Sequence, residues 1–257
     1  VHGVLWGKLH KIEKLCRLPD NSLVLLTKDE KREKDEKKEK YNEPFKGIKN
    51  AFKNLRTEEN LTEEEEIAII HFIDQFTTVS FNADEVGSEV ARIAEEVNKH
   101  HHTKTCRPLP KCRFRYPKFP IWKTILAKPY QTEFLEEKAH YMKKYEDTLK
   151  KVQDLLEDNE IIQSIMKQYN KNVENKEEYQ VNRKRRICQL LKIAEVSEED
   201  YLEALSWTRA GYTIHLKRDL DEIYINSYNP EWLQAWDGNI DIQPCTDFFG
   251  VITYVTE

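Results

Sequence analysis

Four side chains with metal-binding atoms lie close together in this sequence. His100, His102, Cys106 and Cys112 form an H-x-H-x3-C-x5-C array. Thiolates and imidazoles are the ligands that zinc prefers, and four of them complete a tetrahedral structural site. The spacing matches no standard zinc finger, so a polar loop with two unrelated thiols is the alternative interpretation. The array predicts a bound Zn²⁺ with a structural role.

The stretch directly after this array alternates basic with aromatic side chains. Such alternation suits single-stranded nucleic acid, because cations contact the phosphates while rings stack on the bases. It suits an ordinary strand or a packed loop equally well, and the residue types alone do not separate these interpretations. The candidate DNA-binding residues are Arg113, Phe114, Arg115, Tyr116, Lys118 and Trp122.

A third group of reactive side chains lies near the end of the sequence. Residues 240–243 alternate apolar and polar, which predicts a short strand with Asp241 and Gln243 on one face. Asp247 is a candidate N-cap for a following helix, in which Tyr254 lies at the margin of the apolar stripe. From this pattern alone, Tyr254 is a packed tyrosine with its hydroxyl at the rim.

The composition narrows the possible classes of function. Of the 257 residues, 39% are apolar and 34% are charged, so many helix faces must be solvated. There are seven glycines and neither a GxxxxGK[ST] nor a GxGxxG motif, which excludes those phosphate-binding loops. Five irregularly spaced cysteines indicate thiols or metal ligands in a reducing compartment. We expect neither a membrane span nor a signal peptide.

The first part of the chain predicts one strand and two helices around a charged segment. Residues 1–7 read as a strand, whereas residues 28–40 contain no apolar side chain and predict a solvated helix extension or a disordered insert. Thr62 followed by acidic residues predicts a helix start, and another helix is predicted from Asn82. The predicted buried face of the first of these helices is Ile67, Ile70, Phe72, Ile73 and Phe76.

The later part of the chain is predicted to be mainly helical. Residues 131–170 predict a charged helical segment with a mixed aliphatic and aromatic buried face that includes Phe134 and Leu135. Residues 183–186 (RKRR) suit a phosphate contact or a nuclear address, although a solvated helix start is favoured. Ser197 begins a short helix. A strand from Thr213 carries His215, which we interpret as structural rather than catalytic.

Several blocks along the chain resemble the replication-initiator region of Helitron-like rolling-circle transposon proteins, which belong to the HUH endonuclease superfamily. The opening VHGVLW is similar to the strand that carries the histidine pair of that superfamily, with His2 as the second histidine and the first expected before Val1. ITYVTE resembles the start of a Y-x-x-x-Y helix, with Tyr254 as the first tyrosine and the second expected after Glu257. The intervening blocks that resemble the family are HHHTKTC, KCRFRYPKFP, ILAKP, IHLKRD and NPEWLQAWDGNIDIQP.

The resemblance implies a metal-dependent endonuclease and strand transferase that acts on single-stranded DNA. Tyr254 would attack a phosphodiester and become linked to the 5′ phosphate. A divalent ion, Mg²⁺ or Mn²⁺, held by the histidine pair would make that phosphate more electrophilic. We expect the third ligand of this ion to be Gln243 or, second, Asp241, because both lie on the strand before the tyrosine helix.

The resemblance also implies an α+β fold, with an antiparallel HUH-type sheet, helices, and a large helical insertion that carries the zinc element. The expected segments are an N-terminal core strand in residues 1–27, a charged insert in 28–60, the helical insertion in 61–210, and core strands with the start of the tyrosine helix in 211–257.

The expected partners are single-stranded DNA at transposon ends and a Pif1-type helicase domain further along the same parent protein, in the nucleus and without a membrane. Without the flanking histidine and tyrosine, the fragment itself is expected to be inactive. The alternatives are a relic that binds DNA but does not cleave it, and a purely structural helical interaction domain.

Overall fold

The computed structural model describes residues 51–55, 61–103, 106, 112, 114–169, 176–209 and 211–242. These residues belong to one compact unit that spans residues 47–257. His2, Arg113, Gln243 and Tyr254 lie outside the described residues, as do the predicted strand at residues 1–7, the charged segment 28–40 and the predicted tyrosine helix.

The described part of the chain is a helix-rich mixture of α and β structure with a small mixed sheet. Residues 51–55 are helical. The elements that follow are α1 (Glu63–Phe76), α2 (Ala83–Val86), α3 (Ser88–Val97), β1 (Ile125–Pro129), α4 (Leu135–Leu156), α5 (Asn159–Gln168), α6 (Lys176–Ile193), α7 (Glu198–Ser206), β2 (Trp207–Thr208), β3 (Thr213–His215) and α8 (Pro230–Trp236).

The sheet joins strands from the predicted insertion and from the predicted core. Its order is β2-β1-β3, with β1 and β2 parallel and β1 and β3 antiparallel. Ile125 of β1 lies opposite His215 of β3, so the strand predicted from Thr213 is confirmed. Within the described residues this sheet is mixed, and the fully antiparallel sheet of the HUH superfamily stays a prediction.

The predicted helix starts at Thr62 and Ser197 are confirmed. Thr62 and Glu65 form a reciprocal capping box, with the Glu65 amide donating to Thr62 Oγ1 at 3.2 Å and the Thr62 amide donating to Glu65 Oε2 at 3.0 Å. The predicted buried face of α1 is partly wrong. Ile69 and Ile73 are buried, whereas Ile67 is 59% exposed, because the buried stripe is narrower than the run of apolar residues.

Two predicted helices are interrupted. Asn82 does cap a helix, but α2 ends at Gly87, whose φ of +86° suits glycine, and α3 begins directly after it. The segment 131–170 contains α4 and α5, because Asp158 accepts the Glu160 amide at 2.9 Å and starts a new helix. Phe134 and Leu135, predicted to be buried, are exposed at the start of α4.

The dipeptide Asn229-Pro230, whose residue types by themselves predict a turn, begins a helix instead. Asn229 Oδ1 accepts the Trp232 amide at 3.1 Å, and Pro230 occupies the first turn of α8, where its missing N–H has no consequence. The strand predicted from Ile240 does not form over the described residues 240–242, although the Ile242 amide donates to the Ser227 carbonyl at 2.8 Å.

Two apolar clusters pack the described helices and loops together. The larger one packs Ile121 and Leu220 against the buried faces of α4, α5, α6 and α7. The second packs Val79, the residues of α3, Ile225 and Tyr228 together. Burying each large aliphatic side chain contributes about 1.5–3 kcal/mol. This second cluster fixes the end of α3 beside the segment around residue 225.

The basic run at residues 183–186 is not a solvated helix start. It lies inside α6, and Arg183 and Arg186 are fully buried. Arg186 pairs with both carboxylate oxygens of Asp219, and its Nε donates at 3.0 Å, while Arg183 Nη2 lies 3.3 Å from Glu85 Oε2. The Asp219 amide donates to Glu222 Oε2 at 2.7 Å. We call these five residues the buried charge cluster.

Because Arg183 and Arg186 are buried and paired, they cannot contact a phosphate or a transport receptor. Nuclear localisation stays a prediction. None of the described helices is long and apolar enough to cross a membrane.

Candidate metal centre

The four predicted zinc ligands converge. The ligand atoms of His100, His102, Cys106 and Cys112 all lie within 4.8 Å of one another. His102 Nδ1 lies 3.5 Å from Cys106 Sγ, and His100 Nε2 lies 3.4 Å from Cys112 Sγ. A tetrahedral zinc with bonds of about 2.0–2.3 Å places neighbouring ligand atoms roughly 3.3–3.8 Å apart. The two histidine–cysteine distances fall in this range, so the four side chains could hold one metal ion such as zinc, and we call these four residues the metal centre.

Backbone pairing positions the histidine side of the metal centre. After α3 ends, Lys99 forms an isolated bridge with Ile225, and the His100 amide donates to the Tyr224 carbonyl at 2.7 Å. His100 is thus held as if in a short antiparallel ladder. Such pairing fixes the direction of the His100 Cα–Cβ bond independently of any ligand.

A turn positions the first cysteine. The Cys106 amide donates to the Thr103 carbonyl at 3.2 Å, and the Thr103 amide donates to Cys106 Sγ at 3.1 Å. An amide aimed at sulfur stabilises the thiolate, which is the form that binds a metal. Both Cys106 and Cys112 are buried, so their sulfur atoms are shielded from solvent oxidants.

Aromatic rings surround the two histidines. The His100 ring stacks on Tyr116 at a centroid distance of 4.4 Å, and the His102 ring meets the edge of Tyr224 at 5.7 Å. Burial, followed by the positive charges of His102, His101 and Lys118, lowers the pKa of His100. A neutral imidazole is the form that ligates metals, so this environment favours binding.

Two buried asparagines connect the metal centre to the segment 239–242. Tyr116 donates its hydroxyl to Asn226 Oδ1 at 2.6 Å, and Asn226 Nδ2 donates to Asn239 Oδ1 at 2.8 Å. Asn98 Nδ2 donates to the Asn226 carbonyl at 2.9 Å, and Asn98 Oδ1 accepts the Ile240 amide at 2.8 Å. Sequence reasoning missed both asparagines, because nothing in their local pattern distinguishes them from surface turn residues.

The predicted DNA-binding residues divide into two groups. Phe114 is 42% exposed, and Arg115 is exposed in the left-handed region with φ of +58°. Tyr116 is buried against His100, and Trp122 is half-buried with Lys184 Nζ 5.1 Å from its ring. We call Phe114 and Arg115 the exposed tip.

Lys118 holds the backbone of the exposed tip. Its Nζ donates to the Phe114 carbonyl at 2.7 Å and lies 4.8 Å from the centre of the Tyr116 ring. The predicted DNA contacts therefore include some residues that hold the protein together rather than face solvent.

Asp241 is the one predicted catalytic ligand among the described residues. It is exposed, and Ser227 Oγ donates to its Oδ1 at 3.2 Å. Its approach to His2, Gln243 and Tyr254 stays a prediction, since those residues lie outside the described ranges.

No family model matches this chain, and the searches of curated proteins and of solved structures also gave no match.

Proposed function

We propose that this chain belongs to a replication initiator of the Helitron-like kind, a single-stranded DNA endonuclease and strand transferase, and that its metal centre binds a structural zinc. The observation that supports the proposal is the convergence of His100, His102, Cys106 and Cys112. They come from two neighbouring blocks that resemble the family, HHHTKTC and KCRFRYPKFP, and their ligand atoms lie within 4.8 Å of one another.

Zinc bound here would have four protein ligands and no open position for a substrate. Its role would be to close the loop between His100 and Cys112, so that the exposed tip projects beside it. Phe114 offers a ring for stacking on a base, and Arg115 offers a guanidinium for a phosphate. The metal centre in this proposal organises a DNA contact.

The chemical step is proposed from the resemblance. Tyr254 would be the nucleophile, and His2 with Gln243 or Asp241 would hold the Mg²⁺ or Mn²⁺ that polarises the phosphate. The antiparallel HUH-type sheet belongs to the same proposal. Asp241, one candidate ligand, accepts a hydrogen bond from Ser227. Its segment is connected through Asn226 to the metal centre.

Metal analysis of the purified protein tests the structural part. We expect one zinc per chain, lost in Cys112→Ser and retained in Cys188→Ser, whose thiol lies apart from the metal centre and donates to Glu198. Equal zinc content in both variants would refute the assignment.

A denaturing gel tests the chemical part. The full-length protein, incubated with Mn²⁺ and a labelled single-stranded oligonucleotide, should form a covalent adduct. Tyr254→Phe removes only the nucleophilic hydroxyl, so the adduct should disappear, or persist without strand transfer if a second tyrosine substitutes. His2→Ala should weaken cleavage in a way that excess Mn²⁺ partly restores.

A second function, DNA binding without cleavage, is favoured by the closed ligand set. A zinc with four protein ligands supports a binding surface and takes no part in hydrolysis. Oligonucleotide binding by the full-length protein without any adduct would select this function.

A further inference from the structure

Asn98 and Asn226, two buried residues that we call the asparagine junction, lie between the metal centre and the segment 239–242. Asn98 ends α3 two positions before His100 and is fully buried. Its Nδ2 donates to the Asn226 carbonyl at 2.9 Å, and its Oδ1 accepts the Ile240 amide at 2.8 Å. Its carbonyl accepts the Asn226 amide at 3.0 Å. One side chain therefore holds two separate segments of the chain.

The asparagine junction is joined to the metal centre through consecutive residues. Lys99 forms an isolated bridge with Ile225, and the His100 amide donates to the Tyr224 carbonyl at 2.7 Å. Asn98, Lys99 and His100 thus pair with one continuous antiparallel segment. An opening that separates His100 from this segment also breaks the contacts of Asn98, because neighbouring residues of a paired segment open as one unit. The metal centre and the asparagine junction therefore open and close together.

The asparagine junction and Ser227 also hold the segment 239–242. Asn226 Nδ2 donates to Asn239 Oδ1 at 2.8 Å, and the Ile242 amide donates to the Ser227 carbonyl at 2.8 Å. Ser227 Oγ donates to the Ile242 carbonyl at 2.7 Å and to Asp241 Oδ1 at 3.2 Å. Every residue of the segment is therefore hydrogen-bonded either to the junction or to Ser227.

We propose that the asparagine junction couples the metal centre to the segment 239–242, so that a metal ion bound at the four ligands holds Asp241 in place. A ligand that binds only the closed state stabilises it against every opening that separates the binding groups. Because that opening also breaks the contacts of Asn98, the stabilisation extends to the segment that Asn98 holds. Asn98 is thus a positioning residue for Asp241.

The coupling rests on the proposed zinc, and its importance for cleavage rests on the proposed role of Asp241 as a metal ligand. It gives the structural zinc a second effect besides organising the exposed tip. Loss of zinc would release a candidate ligand of the Mg²⁺ or Mn²⁺ ion, although the zinc itself takes no part in the chemical step.

Amide hydrogen exchange, measured by NMR on the full-length protein with zinc and with a chelator, tests the coupling. At free zinc 100 times its dissociation constant, exchange through the shared opening should slow about 100-fold for the amides of His100, Ile240 and Ile242. The Tyr130 amide, which donates to the Thr208 carbonyl at 3.0 Å beside a different apolar cluster, is the control and should slow far less.

Asn98→Ala removes both side-chain hydrogen bonds of the junction residue. The Ile242 amide keeps its acceptor on Ser227, so its exchange remains measurable and should lose most of its response to zinc. His100 exchange should still respond to zinc, because the four ligands are unchanged.

Asn239→Ala is a milder variant, because Asn239 is exposed and only one hydrogen bond to Asn226 is lost. In the zinc-loaded protein it should speed Ile242 exchange about fivefold, as for one hydrogen bond. Gln234→Ala is the matched control, since it removes an exposed amide of α8 that donates to Glu89 at 2.6 Å, and it should leave Ile242 exchange unchanged.

The adduct assay tests whether the coupling reaches Asp241. The Mn²⁺ concentration that gives half-maximal adduct should rise in Asn239→Ala and stay unchanged in Gln234→Ala. Equal Mn²⁺ requirements would overturn the positioning of Asp241.

The remaining outcomes separate the coupling from the proposed function. Zinc that binds without slowing Ile240 and Ile242 exchange, or that slows Tyr130 equally, would overturn the coupling and leave the zinc assignment intact. A zinc response of Ile242 that is unchanged in both Asn98→Ala and Asn239→Ala would do the same. A protein that binds no zinc would overturn the coupling and the structural part of the proposed function together.

Discussion

The metal centre and the buried charge cluster both gather polar groups inside the protein. They differ in whether the groups within each cluster carry opposite charges. In the buried charge cluster, carboxylates meet guanidiniums, as in the pair of Arg186 with Asp219. In the metal centre, four electron-pair donors face one another, as in the pair of His100 Nε2 with Cys112 Sγ at 3.4 Å. Each histidine–cysteine pair can share one proton in a hydrogen bond, and without those protons all four side chains offer electron pairs to one cation.

A structural cluster and a binding cluster therefore differ in the charges that their side chains carry. Buried charges of opposite sign neutralise one another, and such a cluster does not need a ligand. A cluster of electron-pair donors, in contrast, can be completed by a bound cation. The metal centre is of the second kind, because all four of its side chains can offer an electron pair to one cation. Four variants test this distinction, from the largest expected effect to the smallest.

Asp219→Ala should destabilise the protein by about 3–5 kcal/mol, because it leaves Arg186 buried without its counter-charge. The measurement is urea unfolding at pH 7. Glu146→Ala is the matched control, since its pair with Arg209 at 2.7 Å is exposed to solvent and its loss should change stability far less. Equal losses of unfolding free energy in the two variants would show that the buried pair of Arg186 and Asp219 stabilises the protein no more than an exposed pair does.

Removal of zinc should lower the free energy of unfolding by about 3–4 kcal/mol when free zinc had been 100 to 1,000 times its dissociation constant. The measurement is unfolding with and without a chelator. Cys188→Ser should respond to the chelator as the wild type does, whereas Cys112→Ser should not respond. A response that survives Cys112→Ser would place the metal elsewhere.

Tyr116→Phe should cost about 1–3 kcal/mol, because Asn226 Oδ1 loses the hydroxyl that donates to it at 2.6 Å in a buried position. The ring that stacks on His100 remains, so zinc content should not change. Tyr130→Phe, on a half-exposed ring, is the control and should change the stability far less. Loss of zinc in Tyr116→Phe would show that the hydroxyl supports the metal centre directly.

Glu85→Gln should reduce the acid sensitivity of the buried charge cluster. Burial acts to raise the pKa of Glu85, but the charge of Arg183, a hydrogen bond with Ser80 and the charge of Lys217 outweigh it and lower the pKa. A lowered folded-state pKa gives stability that is complete above the ordinary value of 4.5 and is lost as the pH falls through the folded-state pKa.

The difference in unfolding midpoint between wild type and Glu85→Gln should therefore be greatest near pH 7 and shrink towards pH 3. Glu95→Gln, on the exposed side of α3, is the control. A difference that stays constant with pH would show that the Glu85 charge is not coupled to Arg183.

Sequence reasoning succeeded where the determining interactions are local. The helix start at Thr62, the start of α7 at Ser197 and the strand at Thr213 follow from side chains within a few residues. The four residues of the metal centre were also identified from their types and their closeness in sequence, because zinc chemistry restricts the residue types. Boundaries such as Gly87 were missed because an apolar periodicity continues across them.

The burial of charged residues could not be predicted from the sequence. Residues 183–186 suggested a solvated run because basic side chains are rarely buried. Their partner Asp219 lies 33 positions from Arg186, and no local pattern announces that pairing. The Asn226 network is hidden for the same reason, since Tyr116 and Asn226 are 110 positions apart.

The contact between Asn98 and Asn226 has a consequence for synthesis on the ribosome. These residues are separated by 128 positions, which take roughly 6–26 s to translate at about 5–20 residues per second. During that interval His100, His102, Cys106 and Cys112 have left the ribosome before the carbonyl of Tyr224, which holds His100, has been made. The nascent loop therefore meets cellular metal ions before its scaffold exists, so a metal bound at that stage would hold the four side chains together before the long-range backbone pairing forms.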